Sequence, residues 1–465
     1  MTWIIKSFLE ECIIHMKVKL DIKYIVKINN GVRFGQKRTT PIEKGERKMS
    51  SYIIEGGKKL EGETYVSGSK NASLPIMAAT ILNKGISKLY NVPKIHDTQM
   101  MIEILKRLGC KIKCNKNKVI IDSSNVNSFE IPEGLMREMR SSVIFAGSIV
   151  GRYKKAIFSY PGGCDIGARP IDLHIKGFEK LGIKAQENFG KIICTAEEIE
   201  GTEINLDFPS VGATENIILA AVLGKGETII RNAAMEPEIE DLQNFLNRMG
   251  AKVEGAGTHV IKIKGVQRLK DVSYNIMPDR IEAGTLLCAV AITGGKIVLK
   301  QANSEQIKPV IDKLEEAGCK INIEKDIIKL DAPKRLKAVD IKTMPYPGFP
   351  TDMQAIFGAM LSMASGTSII TENIFENRFK YAGELQRMGA KIKIEGKTLI
   401  IKGIRKLYGT KVNSTDLRGG ASLILAGLRA KGKTEVEDIK YILRGYENLD
   451  EKLYSLGANI KILLN

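Results

Sequence analysis

Aromatic residues, paired cysteines and long apolar runs are scarce in this chain of 465 residues. Phe, Trp and Tyr make up 6% of the sequence, so we expect a mainly aliphatic core. The seven cysteines include no Cys-x-x-Cys pair and the four histidines stand far apart, which argues against a disulfide framework and a zinc site. No apolar run reaches the roughly 18 residues of a membrane-spanning helix. A soluble, cytoplasmic protein is therefore expected.

Positive charge is in excess over negative charge. Lys and Arg number 71 against 53 Asp and Glu, which gives a net charge of +18. Such a balance favours anionic partners, namely nucleic acid, anionic lipid or phosphorylated metabolites. The cations are scattered and form no basic stripe interleaved with aromatics, so we do not expect a nucleic-acid binder. An excess of solvated surface lysine would also explain the charge.

Residues 1–48 differ in composition from the rest of the chain. They contain 11 Lys or Arg against 5 Asp or Glu, together with the only tryptophan, Trp3. They lack the apolar region and the small-residue cleavage site of a signal peptide. Because the repeat described next begins only after Met49, we expect Met49 to be the true start. Residues 1–48 would then be a disordered extension or the product of a mis-set initiation site, and a targeting arm is the functional alternative.

An internal repeat organises the chain after Met49. A turn with an apolar residue, Gly, a small or apolar residue and usually Lys recurs six times, and its glycines are 68 to 73 residues apart. Each glycine follows apolar residues at three-to-four spacing and precedes an apolar run. The pattern predicts a helix that ends in a left-handed glycine and is followed by a strand. The six glycines are Gly109, Gly182, Gly250, Gly318, Gly389 and Gly457.

A second element recurs with the same period. It is a helix rich in Ala, Gly, Leu and Ile that is apolar nearly all round, which indicates burial against sheets. Two helices and about four strands then form one unit, and three units form one domain. The sequence therefore predicts an α/β (α+β) protein with six repeated units in two similar domains. The predicted helix starts are Lys70, Arg140, Gly212, Arg280, Asp352 and Arg418.

Most of these buried helices begin with a charged residue. A charge at the end of an apolar helix is costly unless it meets solvent or a partner. Helix N-termini attract anions, and Lys70, Arg140 or Arg280 beside them would suit phosphate or carboxylate. Asp352 is the exception, because a carboxylate there suits a base or an acceptor for a sugar hydroxyl. Ordinary capping and ion pairing remain the alternative for each residue.

The segment 160–174 interrupts the repeat. Its glycines and prolines predict a loop, and this loop contains Cys164 close to Arg169. A cysteine in that setting could have a lowered pKa and act as an acid or a nucleophile, although a lone cysteine is more often inert.

The loop around Cys164 resembles the active-site loop of the UDP-N-acetylglucosamine enolpyruvyl transferases (1-carboxyvinyltransferases) of the enolpyruvyl transferase family. The resemblance rests on Pro161-Gly162-Gly163-Cys164 and on Gly167-Ala168-Arg169-Pro170-Ile171-Asp172-Leu173-His174. The same family is matched by Phe349-Pro350-Thr351-Asp352-Met353-Gln354 and by Ser67-Gly68-Ser69-Lys70-Asn71-Ala72, within a likeness that runs over about residues 50–465. Phe208 and His96 stand where some members carry lysine.

The resemblance implies a fold in which each domain is an inside-out α/β barrel and the chain crosses between domains twice. One domain would be residues 70–277, and the other would combine residues 49–69 with 278–465. The active site would be the cleft between them.

The resemblance also implies a reaction. The enolpyruvyl group of phosphoenolpyruvate would pass to the 3-hydroxyl of UDP-N-acetylglucosamine with release of phosphate, in the first committed step of peptidoglycan synthesis. Asp352 would be the base for that hydroxyl, and Cys164 would be the general acid that protonates the methylene carbon. The reaction implies no metal and no organic cofactor.

Further residues are implied to bind the two substrates. Those for phosphoenolpyruvate are Lys70, Arg169 and Arg444, with Arg140 and Arg378 nearby. Asn71, next to Lys70, is a further substrate-binding residue. Those for the uridine are Arg169, Pro170, Ile171, Asp172 and Leu173, those for the diphosphate are Ser210, Val211 and Gly212, and Ile374 would contact the sugar.

Two other functions fit parts of the pattern. A 5-enolpyruvylshikimate-3-phosphate synthase would share the six-unit fold and phosphoenolpyruvate, but it lacks the cysteine loop. A non-catalytic paralogue that binds sugar nucleotide and regulates a partner would retain the fold, although every catalytic position that aligns is occupied in this chain.

Overall fold

A computed structural model of the chain describes residues 50–162 and 171–463. The expected extension, residues 1–48, lies outside the described residues, as do Cys164, Arg169 and Pro170. The predicted α/β class is confirmed, since helices and mixed sheets alternate along the chain. Within the two described ranges, no helix combines the length and the apolar character that crossing a bilayer demands.

The sheets share one pattern of pairing. An edge strand lies parallel to its neighbour, and the next two pairings are antiparallel. In order from the parallel edge strand to the opposite edge, the strands of two four-stranded sheets are Val272–Asn275, Ile86–Tyr90, Lys118–Asp122 and Lys111–Asn115; and Glu203–Asn205, Glu227–Arg231, Val260–Lys264 and Lys252–Glu254. In the same order, the strands of three further four-stranded sheets are Glu61–Tyr65, Lys296–Lys300, Ile327–Asp331 and Lys320–Glu324; Ile341–Lys342, Thr367–Thr371, Thr398–Lys402 and Lys391–Glu395; and Lys411–Asn413, Lys433–Glu437, Ser51–Glu55 and Asn459–Leu463.

A further sheet has three strands, Lys155–Ser159, Lys191–Thr195 and Lys184–Asn188. A single parallel bridge between Glu130 and Ile157 lies where the other sheets have their parallel edge strand. This sheet therefore follows the same plan with its edge strand reduced to one bridge.

Buried helices pack against the sheets, as their small apolar residues predict. They are Lys70–Ala79, Phe145–Tyr153, Val211–Ala221, Arg280–Thr293, Gln354–Leu361 and Leu417–Arg429. Four begin within a residue of the predicted start, after the capping side chains of Ser69, Ser210, Asp279 and Asp416. The other two begin later, because Arg140 and Asp352 lie in preceding 3-10 turns, Arg140–Ile144 and Thr351–Met353, that have no capping side chain.

Amphipathic helices alternate with the buried ones. They are His96–Arg107, Asp172–Lys180, Pro237–Arg248, Lys308–Glu316, Lys380–Arg387 and Leu449–Ser455. The six predicted turn glycines follow them with φ between 81° and 103°, which confirms the left-handed helix ends. Shorter pieces are the helix Glu133–Glu138 and the 3-10 turns Thr80–Leu82, Glu305–Ile307 and Ile442–Arg444.

The buried apolar side chains form two clusters. One cluster spans residues 72–277, and the other combines residues 52–66 with 281–460. We call the corresponding parts of the chain the inner half and the enclosing half. The strand Glu61–Tyr65 pairs with Lys296–Lys300, and Val272–Asn275 pairs with Ile86–Tyr90, so each half is completed by a strand that is distant in sequence.

The two chain segments that connect the halves bind each other. The backbone N–H of Ser69 donates to the carbonyl of Met277 over 2.8 Å, and the backbone N–H of Asp279 donates to the carbonyl of Ser67 over 2.8 Å. The helices Lys70–Ala79 and Arg280–Thr293 begin directly after this crossover. The crossover therefore brings together the N-termini of one buried helix from each half.

Candidate active site

Two cations from different halves share one buried carboxylate. Lys70, the first residue of its helix, places Nζ 2.9 Å from Oδ2 of Asp97. Arg444 donates from Nε to Oδ1 of Asp97 over 2.9 Å and from Nη2 to Oδ2 over 3.3 Å. Asp97 thus brings together two of the cations that the sequence assigned to phosphoenolpyruvate.

Asp97 remains ionised although its side chain is 0% exposed. Burial alone would raise the pKa of Asp97, but the charges and hydrogen bonds of Lys70 and Arg444 outweigh burial and lower that pKa below its usual value. One negative charge then faces two positive charges, which leaves this cluster net positive. Sequence analysis missed Asp97, because an acidic residue in the first turn of an amphipathic helix ordinarily serves the helix dipole.

A second cluster surrounds the predicted base. Asp352 accepts hydrogen bonds from Arg378 at Oδ1 over 2.7 Å and from Arg418 at Oδ2 over 2.9 and 3.1 Å. The arginine side chains are 4% and 2% exposed, whereas that of Asp352 is 27% exposed. The carboxylate is therefore the part of this cluster that solvent or a ligand reaches.

The two arginines determine the protonation of Asp352. Burial would raise the pKa of Asp352, but Arg418 and then Arg378 dominate and hold it far below its usual value. An ionised carboxylate can accept a proton, yet two guanidinium partners make it a weak base. Its basicity rises if an anionic ligand takes over one of those contacts. Nε of Arg378 is buried and has no hydrogen-bond partner among residues 50–162 and 171–463, so this arginine retains a donor.

The two clusters meet at one segment of the enclosing half. The guanidinium of Arg418 lies 5.1 Å from the ring centre of Tyr446, two residues beyond Arg444. The Tyr446 hydroxyl is 2.9 Å from that of Thr285 in the helix Arg280–Thr293. Buried Tyr446 therefore connects the segment that carries Arg444 to Arg418.

A cavity of about 370 Å³ is lined by two of the residues predicted for the uridine, Ile171 and Asp172. Arg140, which was predicted to lie near phosphoenolpyruvate, also lines this cavity, whereas Leu173 packs against the core of the inner half. Sequence analysis missed the other lining residues, Tyr160, Pro161, Ile175, Lys176 and Ile192. Spacing along the helix Asp172–Lys180 was the available signal for Ile175 and Lys176.

The residues predicted for the diphosphate lie at a helix N-terminus. Ser210 caps the helix Val211–Ala221 and accepts a weak hydrogen bond from the N–H of Ala213 over 3.4 Å. Gly212 lies in the first turn, where an added Cβ would be 3.1 Å from the ring of His174. Glycine at this position keeps the first turn close to His174, and the remaining N–H groups suit an anion.

Buried Glu372 organises the predicted sugar side. Its Oε1 accepts from the N–H of Ile374 over 2.8 Å, and its Oε2 accepts from the hydroxyl of Thr351 over 2.8 Å. Thr351 directly precedes Asp352, so one carboxylate ties the Ile374 backbone to the Asp352 turn. Sequence analysis missed Glu372, which follows an apolar strand and resembles an ordinary loop acid.

An ion pair connects the halves at a different point. Nε of Arg280 lies 3.0 Å from Oε1 of Glu238, and both side chains are under a tenth exposed. Burial, reinforced by neighbouring acids, raises the pKa of Glu215 and of Glu236 nearby. The partner that the sequence demanded for Arg280 is therefore Glu238.

The remaining predicted residues are less informative. Asn71 is half-buried in the turn that begins with Lys70. Cys164, Arg169 and Pro170 lie outside the described residues, so their predicted roles stay predictions.

A larger cavity, about 470 Å³, contains none of the predicted residues and is lined by Asn91, Asn117, Asn275, Pro278, Gln301, Asn303 and Asp326. The described part of the chain has no cluster of His, Cys, Asp and Glu fit to hold a metal.

Comparison with known proteins identifies the family to which this chain belongs. The model of the EPSP synthase (3-phosphoshikimate 1-carboxyvinyltransferase) family matches residues 54–453, and the chain belongs to that family. Solved structures agree in fold: the enolpyruvyl transferase NikO from Streptomyces tendae has a TM-score of 0.81 at 23% identity and covers 90% of this chain and all of its own. An EPSP synthase from Acinetobacter baumannii has a TM-score of 0.69 at 19% identity and covers 89% of this chain and all of its own.

Relatives within the family are more similar in sequence. UDP-N-acetylglucosamine 1-carboxyvinyltransferase 2 of Caldanaerobacter subterraneus subsp. tengcongensis is 54% identical over 89% of this chain and 99% of its own length. UDP-N-acetylglucosamine 1-carboxyvinyltransferase 1 of Carboxydothermus hydrogenoformans is 50% identical over 89% and 98%. The enzyme of that name from Geobacter metallireducens is 49% identical over 89% and 99%.

Proposed function

We propose that the chain transfers the enolpyruvyl group of phosphoenolpyruvate to the 3-hydroxyl of UDP-N-acetylglucosamine and releases phosphate, the first committed step of peptidoglycan synthesis. The observation that carries this proposal is the match, at about half identity and nearly full length, to relatives with that activity in their names.

The two charged clusters support the chemistry of this transfer. Lys70 and Arg444 bind the phosphate and the carboxylate of phosphoenolpyruvate, and Asp97 holds them 2.9 Å from its own oxygens until the anion arrives. Preorganised cations of this kind stabilise charge that moves during addition and elimination. Arg169 and Arg140 complete the anion site in this proposal.

The base acts on the sugar nucleotide and the acid acts on phosphoenolpyruvate. Asp352 accepts the proton of the sugar 3-hydroxyl as its oxygen bonds to C2 of phosphoenolpyruvate, and Cys164 protonates C3. In the elimination, C3 returns a proton to the Cys164 thiolate while the C2–O bond to phosphate breaks, and phosphate leaves with the proton held by Asp352, which restores the double bond. Because Arg378 and Arg418 weaken the base, an anionic substrate that draws either arginine away from Asp352 activates it.

The uridine and the diphosphate of the nucleotide occupy the inner half. The uridine contacts Arg169, Pro170, Ile171 and Asp172, the diphosphate contacts Ser210, Val211 and Gly212, and the sugar lies near Ile374 of the enclosing half. Support comes from the 370 Å³ cavity beside Arg140, Ile171 and Asp172 and from the Ser210 helix N-terminus.

We also infer that the chain forms two inside-out α/β barrels, each made of three repeated units, with the active-site cleft between them. One barrel is residues 70–277, and the other combines residues 49–69 with 278–465. The two hydrophobic clusters, the shared pairing pattern of the sheets and the six left-handed glycines support this division.

Phosphate release from phosphoenolpyruvate by the full chain tests the proposed function. We expect release that requires UDP-N-acetylglucosamine and does not occur with shikimate 3-phosphate. Cys164→Ala should abolish it, and the matched control Cys114→Ala, at an exposed cysteine, should not. Asp352→Asn should reduce the rate by about 100-fold or more, as expected for loss of a general base.

The other outcomes refute the proposal in different ways. Release that depends on shikimate 3-phosphate instead would assign the chain to the other branch of its family. Binding of UDP-N-acetylglucosamine without any release by the wild-type chain would indicate a regulatory protein.

A further inference from the structure

Two carboxylates of the enclosing half bind the backbone that leads into the Lys70 helix. Oδ2 of Asp279 accepts the N–H of Lys70 over 3.0 Å, and Oε2 of Glu282 accepts the N–H of Ser67 over 2.6 Å. Oδ1 of Asp279 also accepts from Ile281 over 2.8 Å at the start of its own helix. One carboxylate therefore caps a helix in each half and offers negative charge to both N-termini.

A buried lysine completes this arrangement. Nζ of Lys452 lies 2.5 Å from Oε1 of Glu282 and 2.6 Å from the hydroxyl of Ser67, and both charged side chains are almost fully buried. Nζ also lies 4.9 Å from the ring centre of Tyr65. A buried charge is tolerated only with such partners, so Lys452 and Glu282 hold Ser67 at a defined place.

The opposite side of the same segment has no free space. A Cβ on Gly68 would lie 1.7 Å from the carbonyl oxygen of Asn91. The Asn91 side chain in turn donates to the carbonyl of Ile276 over 3.0 Å, in the other crossing segment. The segment before Lys70 is thus held between the acids of the enclosing half and a strand end of the inner half.

We propose that Asp279, Glu282 and Lys452 form a crossover clamp that positions Lys70 for its anionic substrate. This inference rests on the proposed function, in which Lys70 binds phosphoenolpyruvate. The three are positioning residues, because they act through Ser67 and through the backbone of Lys70. A flexible lysine side chain binds an anion well only if its Cα is fixed, and the clamp fixes it at the start of the helix.

Steady-state kinetics of the full chain tests the clamp with two variants and one control. Asp279→Asn keeps the size of the side chain but removes its charge. Lys452→Met combined with Glu282→Gln removes the buried pair without leaving a lone charge. The control Ile263→Val lowers stability in a core strand of the inner half that lies outside the crossover.

Both clamp variants should raise the KM for phosphoenolpyruvate about tenfold, the effect of one lost charge-assisted hydrogen bond. The KM for UDP-N-acetylglucosamine should change by less than about twofold, since the clamp lies apart from the nucleotide cavity. The control should lower the melting temperature and leave both KM values unchanged. An unchanged KM for phosphoenolpyruvate in both clamp variants, or an equal rise for both substrates, would overturn the proposal.

Amide hydrogen exchange over residues 67–72 gives a readout that does not need activity. Faster exchange at Ser67 and Lys70 in the clamp variants than in Ile263→Val supports the clamp, and equal exchange overturns it. Wild-type protein that releases no phosphate would refute the proposed function, and the exchange result would still decide whether the clamp exists.

Discussion

Replacing Asp97 by Asn should destabilise the protein far more than the loss of an ordinary ion pair. Removing one partner of a buried pair costs about 3–5 kcal/mol, because the remaining charge stays uncompensated. Asp97 contacts two cations, but Asn keeps one acceptor, so we expect about 3 kcal/mol. Asp331 provides a matched control: its pair with Lys296 has the same 2.9 Å separation but is about half exposed, and Asp331→Asn should cost about 0–1 kcal/mol.

Thermal unfolding with and without inorganic phosphate measures this difference. Phosphate should stabilise Asp97→Asn more than wild type, because it can replace the missing negative charge between Lys70 and Arg444. The pKa of Asp97 is lowered in the folded state, so its contribution is present above the usual carboxyl pKa and is lost as pH falls below it. The difference in stability between wild type and Asp97→Asn should therefore become smaller at acidic pH. Equal melting temperatures for the Asp97 and Asp331 variants at neutral pH would refute the reasoning.

Three further predictions concern packing, pH and thiol reactivity. Gly68→Ala should cost more than about 2 kcal/mol in thermal unfolding since its Cβ would overlap a backbone carbonyl, whereas Gly383→Ala, with open space around it, should be neutral or stabilising. Burial lowers the pKa of His174 to about 4, so stability should fall as pH drops from about 6.5 towards 4, and His174→Gln should flatten that fall in melts across this range. A thiol reagent should label exposed Cys114 in the native protein and should label buried Cys288 only after unfolding, as peptide mapping would show; rapid labelling of Cys288 would contradict the described packing.

Features set by local chemistry were predictable from the sequence. The six turn glycines could be identified because a left-handed helix end favours glycine, and the buried helices could be identified because their small apolar residues cover every face. Helix starts were predicted well after Asp279 or Ser69, where a side chain caps the helix. They were misplaced at Arg140 and Asp352, where no cap is present and the chain tightens into a 3-10 turn first.

Features set by distant contacts were not predictable from local pattern. Asp97 meets Arg444 across 347 positions of the chain, and nothing near either residue announces the other. Glu238 and Glu372 were missed for the same reason, since each is an ordinary acid in its local sequence. Their roles follow only from distant contacts, of Glu238 with Arg280 and of Glu372 with Thr351. The roles assigned to Cys164 and Arg169 came from family resemblance and remain predictions.

The interleaved strands have a consequence for how the chain is made. The strand Ser51–Glu55 lies between Lys433–Glu437 and Asn459–Leu463, with Ser51 opposite Leu463. Translation therefore produces the strand Ser51–Glu55 long before the two strands that pair with it. The inner half has all its strands once Asn275 has been synthesised, so it can fold while translation continues. The enclosing half is complete only once Asn459–Leu463 has also been synthesised, which leaves its early apolar strand in need of protection from aggregation until then.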